Sequence, residues 1–534
     1  MKKLLIAILL LPTLMFGQLK ISDNFKVHAG YPYPVANANL KLYFPFGNNV
    51  IMVKHDWKTI IIQKYDITSG KIVFQKQNPS VYDLSSRESI NKTSVEKVLQ
   101  LKDHLYYCFA RTNTESNIEQ LLYKEINIET GDLGEEVLLF QVEGGVKGNH
   151  WYGQFIDRFY FQTSLDKTKV LIKYTKASGE KDDKNVIDEI GIHVFNENLE
   201  EAWFSTMKMP YNNNKMNNIQ YHVNNTGVGY LFSVIYDSDK SKEFVKETKA
   251  YHLEAFSLDE NGMNAIDVKD DNHYYSSVQL IDNAKGEVYL SGLYSDIENG
   301  KTDYLTKGFF SRKLDVATTQ STQYYPISTE IINQFISARQ QKKGKTAISD
   351  LEFRDMHFMA DGSILFTAEK FYSVNHTVSG NNGPRTVTEY HYKGILATKI
   401  SSSGDLVWSK RLPKVQKGSY YKGELSYTYK EKNGKHYFFY VDHIENVNKS
   451  INDHITPYTD KGKGVYSAFI VNDEDGTIEK SPLVNFREVQ IPGVKKLKKI
   501  YKFQTDKVVC TDNGVIFEFY KKGKEDTMLH VEIE

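Results

Sequence analysis

The chain repeats one unit eight times, and this repetition limits its possible folds more than any other feature. Each unit contains short segments in which polar and apolar residues alternate, separated by turn residues. The sixth unit shows the pattern most clearly, with segments at 351–359, 363–369, 392–400 and 405–412. Asp361-Gly362 and Ser403-Gly404 join these segments in pairs, and such dipeptides supply the positive φ that tight hairpins need. The pattern predicts four antiparallel strands per unit.

Repetition of four-stranded units on this scale is typical of a β-propeller, because one blade alone cannot bury both of its faces. The predicted fold class is all-β, with a single ring of four-stranded antiparallel blades over residues 19–534. Eight blades are expected, or seven if a terminal unit is over-counted. A pair of β-sandwiches is the alternative. The last unit is expected to supply its own four strands, at 499–504, 507–511, 515–520 and 528–533.

One segment departs from this alternation. Residues 330–339 place their apolar side chains at helical spacing, and Ser328 or Thr329 stands where an N-cap is required. We therefore expect one short helix inserted into the ring.

The beginning of the chain has the layout of a signal peptide. Met1-Lys2-Lys3 gives a positive start, residues 4–16 are apolar, and Gly17 offers a small residue near a cleavage site. This apolar stretch is interrupted by Pro12 and is too short to cross a bilayer, which needs about 20 residues. We expect residues 1–18 to be a signal peptide with no membrane anchor, and the protein to be exported to the periplasm or the extracellular space.

Charge and cysteine content limit the expected partners. The chain has 67 basic and 67 acidic side chains, so no net field draws it to nucleic acid or to an anionic membrane. Neither partner is expected, and the protein is expected to be a monomer. Its two cysteines, Cys108 and Cys510, lie in segments with the pattern of buried strands. They either pair in an oxidising compartment or remain as buried thiols.

Three runs of sequence carry a resemblance to a known family. They are FNENLEEAW at 195–203, GEVYLSGLY at 286–294 and GDLVWSKRLPKVQ at 404–416. These runs are similar to those of a family of secreted, uncharacterised β-propeller-like proteins from Gram-negative bacteria, and the similarity extends over units three to seven. The resemblance implies the fold and export. It implies no activity, because the family has no agreed function whose residues would transfer to this chain.

Connection lengths distinguish the two ends of the expected ring. Turns between first and second strands are short in every unit, whereas connections between second and third strands vary widely. In antiparallel blades the variable connections share one end with the links between blades. Binding sites collect on the variable loops of a rigid scaffold, so this end is expected to bind a ligand; drift on an unconstrained surface is the alternative. The variable connections are 113–119, 175–189, 237–249, 295–307, 373–391 and 442–465.

The ends of the second strands should lie beneath these connections and supply the ligand-binding residues. Their side chains are aromatic, acidic or imidazole-bearing, which suits a glycan or a protein partner because rings stack on sugar faces and carboxylates accept hydrogen bonds from hydroxyl groups. Glu369 and Asp442 would also suit acid and base roles in a carbohydrate-active enzyme, either a polysaccharide lyase or a glycoside hydrolase. The candidates are His55, Asp56, Arg111, Tyr236, Tyr294, Glu369, Tyr372, Asp442 and His443.

Other motifs are incomplete. Residues 472–476 have the acidic character of a calcium loop but lack the remaining ligands at EF-hand spacing. Gly344-Lys345-Thr346 and Gly300-Lys301-Thr302 lack the earlier glycine of a phosphate-binding loop. No metal and no cofactor are expected. The sequence predicts an exported propeller that binds a glycan or a protein partner without catalysis, with the carbohydrate-active enzyme as the alternative.

Overall fold

The structure is a computed structural model in which nearly all regular elements are β-strands. The predicted signal peptide lies outside the described residues, so the structure does not bear on export. No helix in the described part of the chain is both long and apolar enough to cross a membrane. The described residues are 24–534 without 37, 57, 83–91, 149–157, 179–182, 239–243, 246–247, 298–304, 316–319, 381–382, 420–422, 460–463, 495–499, 503 and 522–523.

Eight sheets, each built on four antiparallel strands, follow one another along the chain. The first four sheets are Leu40–Phe46, Asn49–His55, Thr59–Asp66 and Lys71–Pro79; Thr93–Leu101, His104–Asn113, Ile118–Glu125 and Val137–Glu143; Tyr160–Thr163, Lys169–Thr175, Glu189–Asn196 and Glu201–Lys208; and Met216–Val223, Gly229–Tyr236, Tyr251–Asp259 and Gly262–Ile266. The next three are His273–Asp282, Val288–Asp296, Gly308–Lys313 and Gln323–Pro326; Leu351–Phe358, Ile364–Gly380, Gly383–Ile400 and Leu406–Leu412; and Tyr427–Lys432, Lys435–His443, Gly464–Asn472 and Ile478–Asn485. The predicted all-β fold with eight blades is confirmed.

Apolar packing joins the sheets into a closed ring. A cluster of buried apolar side chains fills the space between each sheet and the next. A further cluster, which includes Met52 and Ile516, joins the eighth sheet to the first. First strands of neighbouring sheets also contact one another, which places them at the centre of the ring. The fold is therefore a β-propeller rather than a pair of sandwiches.

The eighth sheet takes its outer strand from the opposite end of the chain. Phe25–Ala29 pairs antiparallel with Glu525–Ile533, so that Phe25 lies opposite Ile533. The expectation that the last unit supplies four strands of its own is wrong. Pairing of the two ends of the described chain closes the ring, because each blade must pack against two neighbours.

The inner strand of the eighth sheet is interrupted. Ile500–Lys502 and Val509–Thr511 were expected to be two successive strands, but both pair with the second strand, Gly514–Lys521. A short 3-10 turn, Thr505–Lys507, fills the interruption. This turn contributes to the cavity described below.

The segment predicted as one helix forms two. Thr329–Phe335 begins after Ser328, whose side chain accepts from the N–H of Ile331, and ends where Ile336 adopts an extended conformation. Ser337 then caps a second helix, Ala338–Lys342, with a capping box to Gln340. The prediction of a single helix over 330–339 is wrong because the side chain of Ser337 accepts a backbone N–H and starts a new helix as its N-cap.

The two ends of the ring differ as expected. The short-turn end carries the turns between first and second strands, and the loop-rich end carries the links between sheets and the connections between second and third strands. The connection at 373–391 is a hairpin that extends the second and third strands of the sixth sheet to 17 and 18 residues. At the base of this hairpin, Gln416–Gly418 pairs with the third strand and Tyr458–Thr459 pairs with Gln416–Gly418.

Candidate functional site

A cavity of about 230 Å³ lies near the centre of the ring between the sixth and seventh sheets. The first strands of both sheets form its walls, and the turn Thr505–Lys507 of the eighth sheet adds a third side. Its lining combines aromatic rings, carboxylates and hydroxyl groups, the groups that recognise polar ligands. The lining residues are Arg354, Asp355, His357, Thr367, Leu425, Ser426, Tyr427, Tyr429, Thr505 and Asp506.

A β-bulge in the first strand of the sixth sheet sets the direction of Arg354. The register against the second strand shifts between Phe353 and Asp355, so Arg354 is the extra residue. A bulge breaks the regular alternation of side chains and re-aims the residue it carries. Arg354 lines the cavity and donates from Nε and Nη2 to Oε2 of Glu369, at 3.1 and 2.8 Å.

An ion cluster centred on Glu369, whose side chain is fully buried, adjoins the cavity through the lining residues Arg354 and Ser426 and is called the floor cluster. Lys414 donates to one oxygen of Glu369, and Ser426 donates to the other at 2.6 Å. Arg354 also forms an ion pair with Glu352 at 2.9 Å. Two cations thus face two carboxylates, so the floor carries no net charge when all four groups are ionised.

Tyr429 is oriented by hydrogen bonds that run away from the cavity. The Nδ1 atom of His436 lies 2.9 Å from the Tyr429 hydroxyl, and its Nε2 lies 2.9 Å from Oδ1 of Asp473. Burial lowers the pKa of His436, so the ring is neutral at pH 7. Because a carboxylate only accepts, Nε2 carries the proton and Nδ1 accepts from Tyr429. The oxygen of Tyr429 therefore faces the cavity as an acceptor.

Two carboxylates in the lining have no basic partner. Asp355 accepts from the N–H of Met356 at 2.8 Å, and Nδ1 of His357 lies 3.7 Å from it. Burial lowers the pKa of His357, which keeps this ring neutral at pH 7. Among the described residues, neither Asp355 nor Asp506 forms an ion pair with a lysine or an arginine. The cavity wall is therefore negatively charged.

The hydroxyl group of Thr505 in the lining is buried without a hydrogen-bond partner among the described residues. Thr505 is 6% exposed, and its Oγ1 has no hydrogen bond within the part of the chain that the structure describes. An unsatisfied buried hydroxyl costs about 1–3 kcal/mol, so a ligand that bonds to it gains affinity. Thr511, in the same sheet, has a similarly buried and unpartnered hydroxyl but does not line the cavity.

A second cavity, of about 270 Å³, lies at the short-turn end between the first and second sheets. Lys64 and Glu129, which both line this cavity, form an ion pair at 2.5 Å. The charge of Lys64 is therefore already neutralised. Asp103 also lines it, and Phe46 supplies its one aromatic ring. The first cavity therefore has the richer set of ligand-binding groups.

Two of the predicted acidic candidates lie near each other but are held in separate contacts. Glu369 belongs to the floor cluster, and Asp442 forms an ion pair with Lys480 at 2.7 Å and accepts from Asn446 at 2.7 Å. Asp442 is 5% exposed and does not line the cavity. Both carboxylates are thus bound to cations of the protein rather than presented to one pocket.

Tyr372 and His443 serve local structure. The ring of Tyr372 stacks on His391, with 4.6 Å between ring centroids, and Lys393 lies over the same tyrosine ring. The side chain of His443 accepts from the N–H of Glu445 and caps a short 3-10 turn. Neither side chain lines the cavity.

The other five candidates lie in the first, second, fourth and fifth sheets. His55, Tyr236 and Tyr294 are buried. Asp56 accepts two backbone N–H groups within its own turn, and Arg111 forms a two-point ion pair with a glutamate. The structure therefore does not bring the nine candidates together, and their role in binding stays a prediction.

Sequence reasoning misses the residues that line the cavity because it places the ligand at the ends of second strands. The cavity instead uses first strands, which lie at the centre of the ring. The signal for it is present in the first strand of the sixth unit, LEFRDMHF, where Arg354, Asp355 and His357 put charge and imidazole into a central strand. The bulge that turns Arg354 is set by pairing and has no such signal.

The described residues contain neither a group of side chains placed to hold a metal ion nor a disulfide. Within the described ranges, no group of three or more His, Cys, Asp and Glu side chains is placed to hold a metal ion. Both cysteines are free thiols; Cys108 is buried as expected, but the expectation that Cys510 is buried is wrong, since it is exposed. It lies on the interrupted inner strand of the eighth sheet, and its Sγ is 3.5 Å from the carbonyl oxygen of Tyr429.

Comparison with known proteins gives no family. No family model and no curated protein matches the chain. The β-propeller domain of the Trilobed protease from Pyrococcus furiosus matches with 10% identity and a TM-score of 0.35, over 88% of this chain and 100% of that one. Dihydro-heme d1 dehydrogenase NirN matches with 10% identity and a TM-score of 0.37, over 95% and 78%. Prolyl oligopeptidase B from Galerina marginata matches with 10% identity and a TM-score of 0.36, over 96% and 56%.

Proposed function

We propose that this protein binds a glycan at the centre of the ring, with one sugar residue seated in the cavity between the sixth and seventh sheets. The observation that supports the proposal is the lining of this cavity. The rings of Tyr427 and Tyr429 offer faces on which a sugar can stack, while Asp355, Asp506 and Ser426 offer oxygens that accept from its hydroxyl groups.

A sugar suits this cavity better than a folded protein surface does. The cavity is recessed and is about the size of one hexose, whereas protein partners bury broad, flatter areas. Acceptors on the first strands are fixed by the sheets that carry them, so they are arranged before the ligand binds. Export, predicted from residues 1–18, would bring the site into contact with glycans outside the cytoplasm.

Catalysis is not part of the proposal. Acid and base roles in glycosidic cleavage need two carboxyl groups on either side of the bond, free to exchange protons with substrate. Glu369 is held by Arg354, Lys414 and Ser426, and Asp442 is held by Lys480. Both are committed to contacts within the protein.

A glycan array probed with the purified protein tests the proposal, and Thr505→Val provides the site-specific variant. Valine keeps the shape of threonine and removes the hydroxyl group that lacks a partner. We expect the affinity for the best glycan to fall by about 3–10-fold, the effect of one hydrogen bond, without loss of thermal stability. Thr511→Val is the matched control and should leave binding unchanged.

Three outcomes would contradict the proposal. Absence of binding to every glycan on the array would remove its basis, and equal loss of binding in both valine variants would place the effect on the eighth sheet as a whole. Capture of a protein ligand that is unaffected by Thr505→Val would assign the function to another surface.

A further inference from the structure

We infer that the cavity selects a sugar that carries a protonated primary amine, such as glucosamine within an oligosaccharide. The inference rests on the proposed glycan site and goes beyond it in naming the chemical class of the sugar. It follows from two properties of the lining, the direction of its hydrogen bonds and its charge.

The first property is that four groups of the cavity present oxygens that accept hydrogen bonds. Tyr429 donates its proton to His436, and Ser426 donates its proton to Glu369, so both oxygens turn lone pairs toward the cavity. The carboxylates of Asp355 and Asp506 accept only. A ligand that satisfies these groups must bring several donors, and an ammonium group has three.

The second property is the negative charge of the wall. In the floor cluster, Arg354 and Lys414 are matched by Glu352 and Glu369, which leaves Asp355 and Asp506 as excess charge. Lys507 follows Asp506 directly, but no ion pair joins the two among the described contacts. A cation that enters the cavity would therefore meet two carboxylates that the protein does not neutralise.

The aromatic rings support the same ligand. Tyr429 stacks with one face on the neutral ring of His357, with 4.0 Å between ring centroids, so a cation can approach only its opposite face or the ring of Tyr427, two residues earlier on the same strand. The faces of such rings attract cations by about 0.5–2 kcal/mol. Acetylation of an amino sugar would remove the positive charge and two of the three donors, so the acetylated sugar would lose both interactions.

A metal ion is a poorer fit to the same charge. Divalent cations need several oxygen or nitrogen ligands in a compact shell. Within the described residues, no three His, Cys, Asp or Glu side chains converge in that way. An organic ammonium group spreads its contacts over the wall and the rings instead.

Calorimetric titration with a glucosamine oligosaccharide and its fully N-acetylated counterpart tests the inference. The two probes share one backbone and differ only in the amine. We expect the glucosamine form to bind about tenfold tighter at low salt, the effect of one charge-assisted hydrogen bond, and this preference to shrink at high salt. Asp355→Asn and Asp506→Asn should each reduce the preference, with the melting temperature of the protein recorded to confirm folding.

Asp103→Asn is the matched control. It removes the same charge from the second cavity at the short-turn end, and it should leave the preference unchanged. The inference would be overturned if Asp355→Asn and Asp506→Asn both keep the preference for the glucosamine form. It would also be overturned if Asp103→Asn loses this preference to the same extent.

The remaining outcomes separate the inference from the proposed function. If both probes or other glycans bind equally and the binding depends on Thr505, the selection of an amine is wrong and the glycan site stands. If a short lysine peptide binds more tightly than the glucosamine oligosaccharide, the cavity takes an ammonium group from a peptide and the inference fails. If no glycan binds, both fail together.

Discussion

The ammonium group of Lys54 contacts a carboxylate oxygen of Glu518, and this ion pair joins the first sheet to the eighth. Lys54 is fully buried. Burial opposes ionisation of Glu518, but Lys54 and Lys41 outweigh it and lower the pKa of this carboxyl to about 2. Tyr33 and Tyr43 donate to the same carboxylate at 2.7 and 2.8 Å. The seam that closes the ring therefore has a buried polar contact in addition to its strand pairing.

Lys54→Met should weaken this closure. The substitution keeps the length of the side chain but removes the buried lysine, so that Lys41, which is partly exposed, is left to face both Glu518 and Asp526. Removal of one member of a buried ion pair costs about 3–5 kcal/mol, so we expect the melting temperature to fall by about 3 °C or more in a chain of this size. Thermal unfolding followed by circular dichroism measures the shift.

The double variant Lys54→Met/Glu518→Gln provides the control for this contact. It removes both charges, so it should recover part of the lost stability relative to Lys54→Met alone. A single variant as stable as the wild type would show that the ion pair does not contribute to closing the ring.

Glu96 gives a prediction about pH. Burial raises the pKa of this carboxyl to about 8, whereas an unfolded glutamate has a pKa near 4.5. Between these two values the folded state holds a proton that the unfolded state releases, so this residue makes the protein less stable as pH rises from about 5 to 8. Glu96→Gln should raise the melting temperature by about 2–4 °C at pH 8 and have little effect at pH 4.5.

Glu119→Gln is the comparison for Glu96→Gln. Glu119 forms an ion pair with Arg158 at 2.7 Å, and both side chains are buried. Loss of that charge should therefore destabilise the protein at pH 8 rather than stabilise it. If Glu96→Gln lowers stability at pH 8 as well, then Glu96 is ionised in the folded protein and the pH argument is wrong.

The two thiols should differ in reactivity. Cys510 is exposed and Cys108 is buried, so Ellman's reagent should modify Cys510 first, in the native protein, at a rate set by the pKa of its thiol, which burial raises, and Cys108 only after denaturation. Because Cys510 lies against the backbone of Tyr429, a glycan in the cavity should slow its modification several-fold. The rate with and without the best array ligand measures this protection.

Cys510→Ser tests the assignment of the fast thiol and should abolish the rapid phase. Two unreactive cysteines in the wild type would indicate a disulfide, contrary to the structure. An unchanged rate at saturating glycan would place the ligand away from the cavity.

The fold could be predicted from the sequence to the extent that its causes are local. Turn dipeptides such as Asp361-Gly362 and the alternation around them specify hairpins, and eight sets of hairpins specify the blades. The outer strand of the eighth sheet could not be predicted in this way. Phe25 pairs with Ile533, and nothing near either residue in the sequence records the pairing.

The site was less predictable for a related reason. Polar residues such as Asp355 and Tyr429 are visible in the sequence, but the cavity depends on how three sheets meet. The bulge at Arg354, the turn at Thr505 and the proton on His436 are each set by tertiary contacts. Candidates chosen by position at strand ends, such as Glu369, were instead drawn into buried ion pairs that the sequence does not reveal.

The central claim is that the cavity between the sixth and seventh sheets holds a sugar, and a crystal structure of the protein with its best array ligand tests it most directly. We expect density for a sugar ring against Tyr427 or Tyr429, with a hydrogen bond to Thr505 and its polar groups toward Asp355 and Asp506. Density for the glycan on another part of the ring, with the cavity free of it, would contradict the claim.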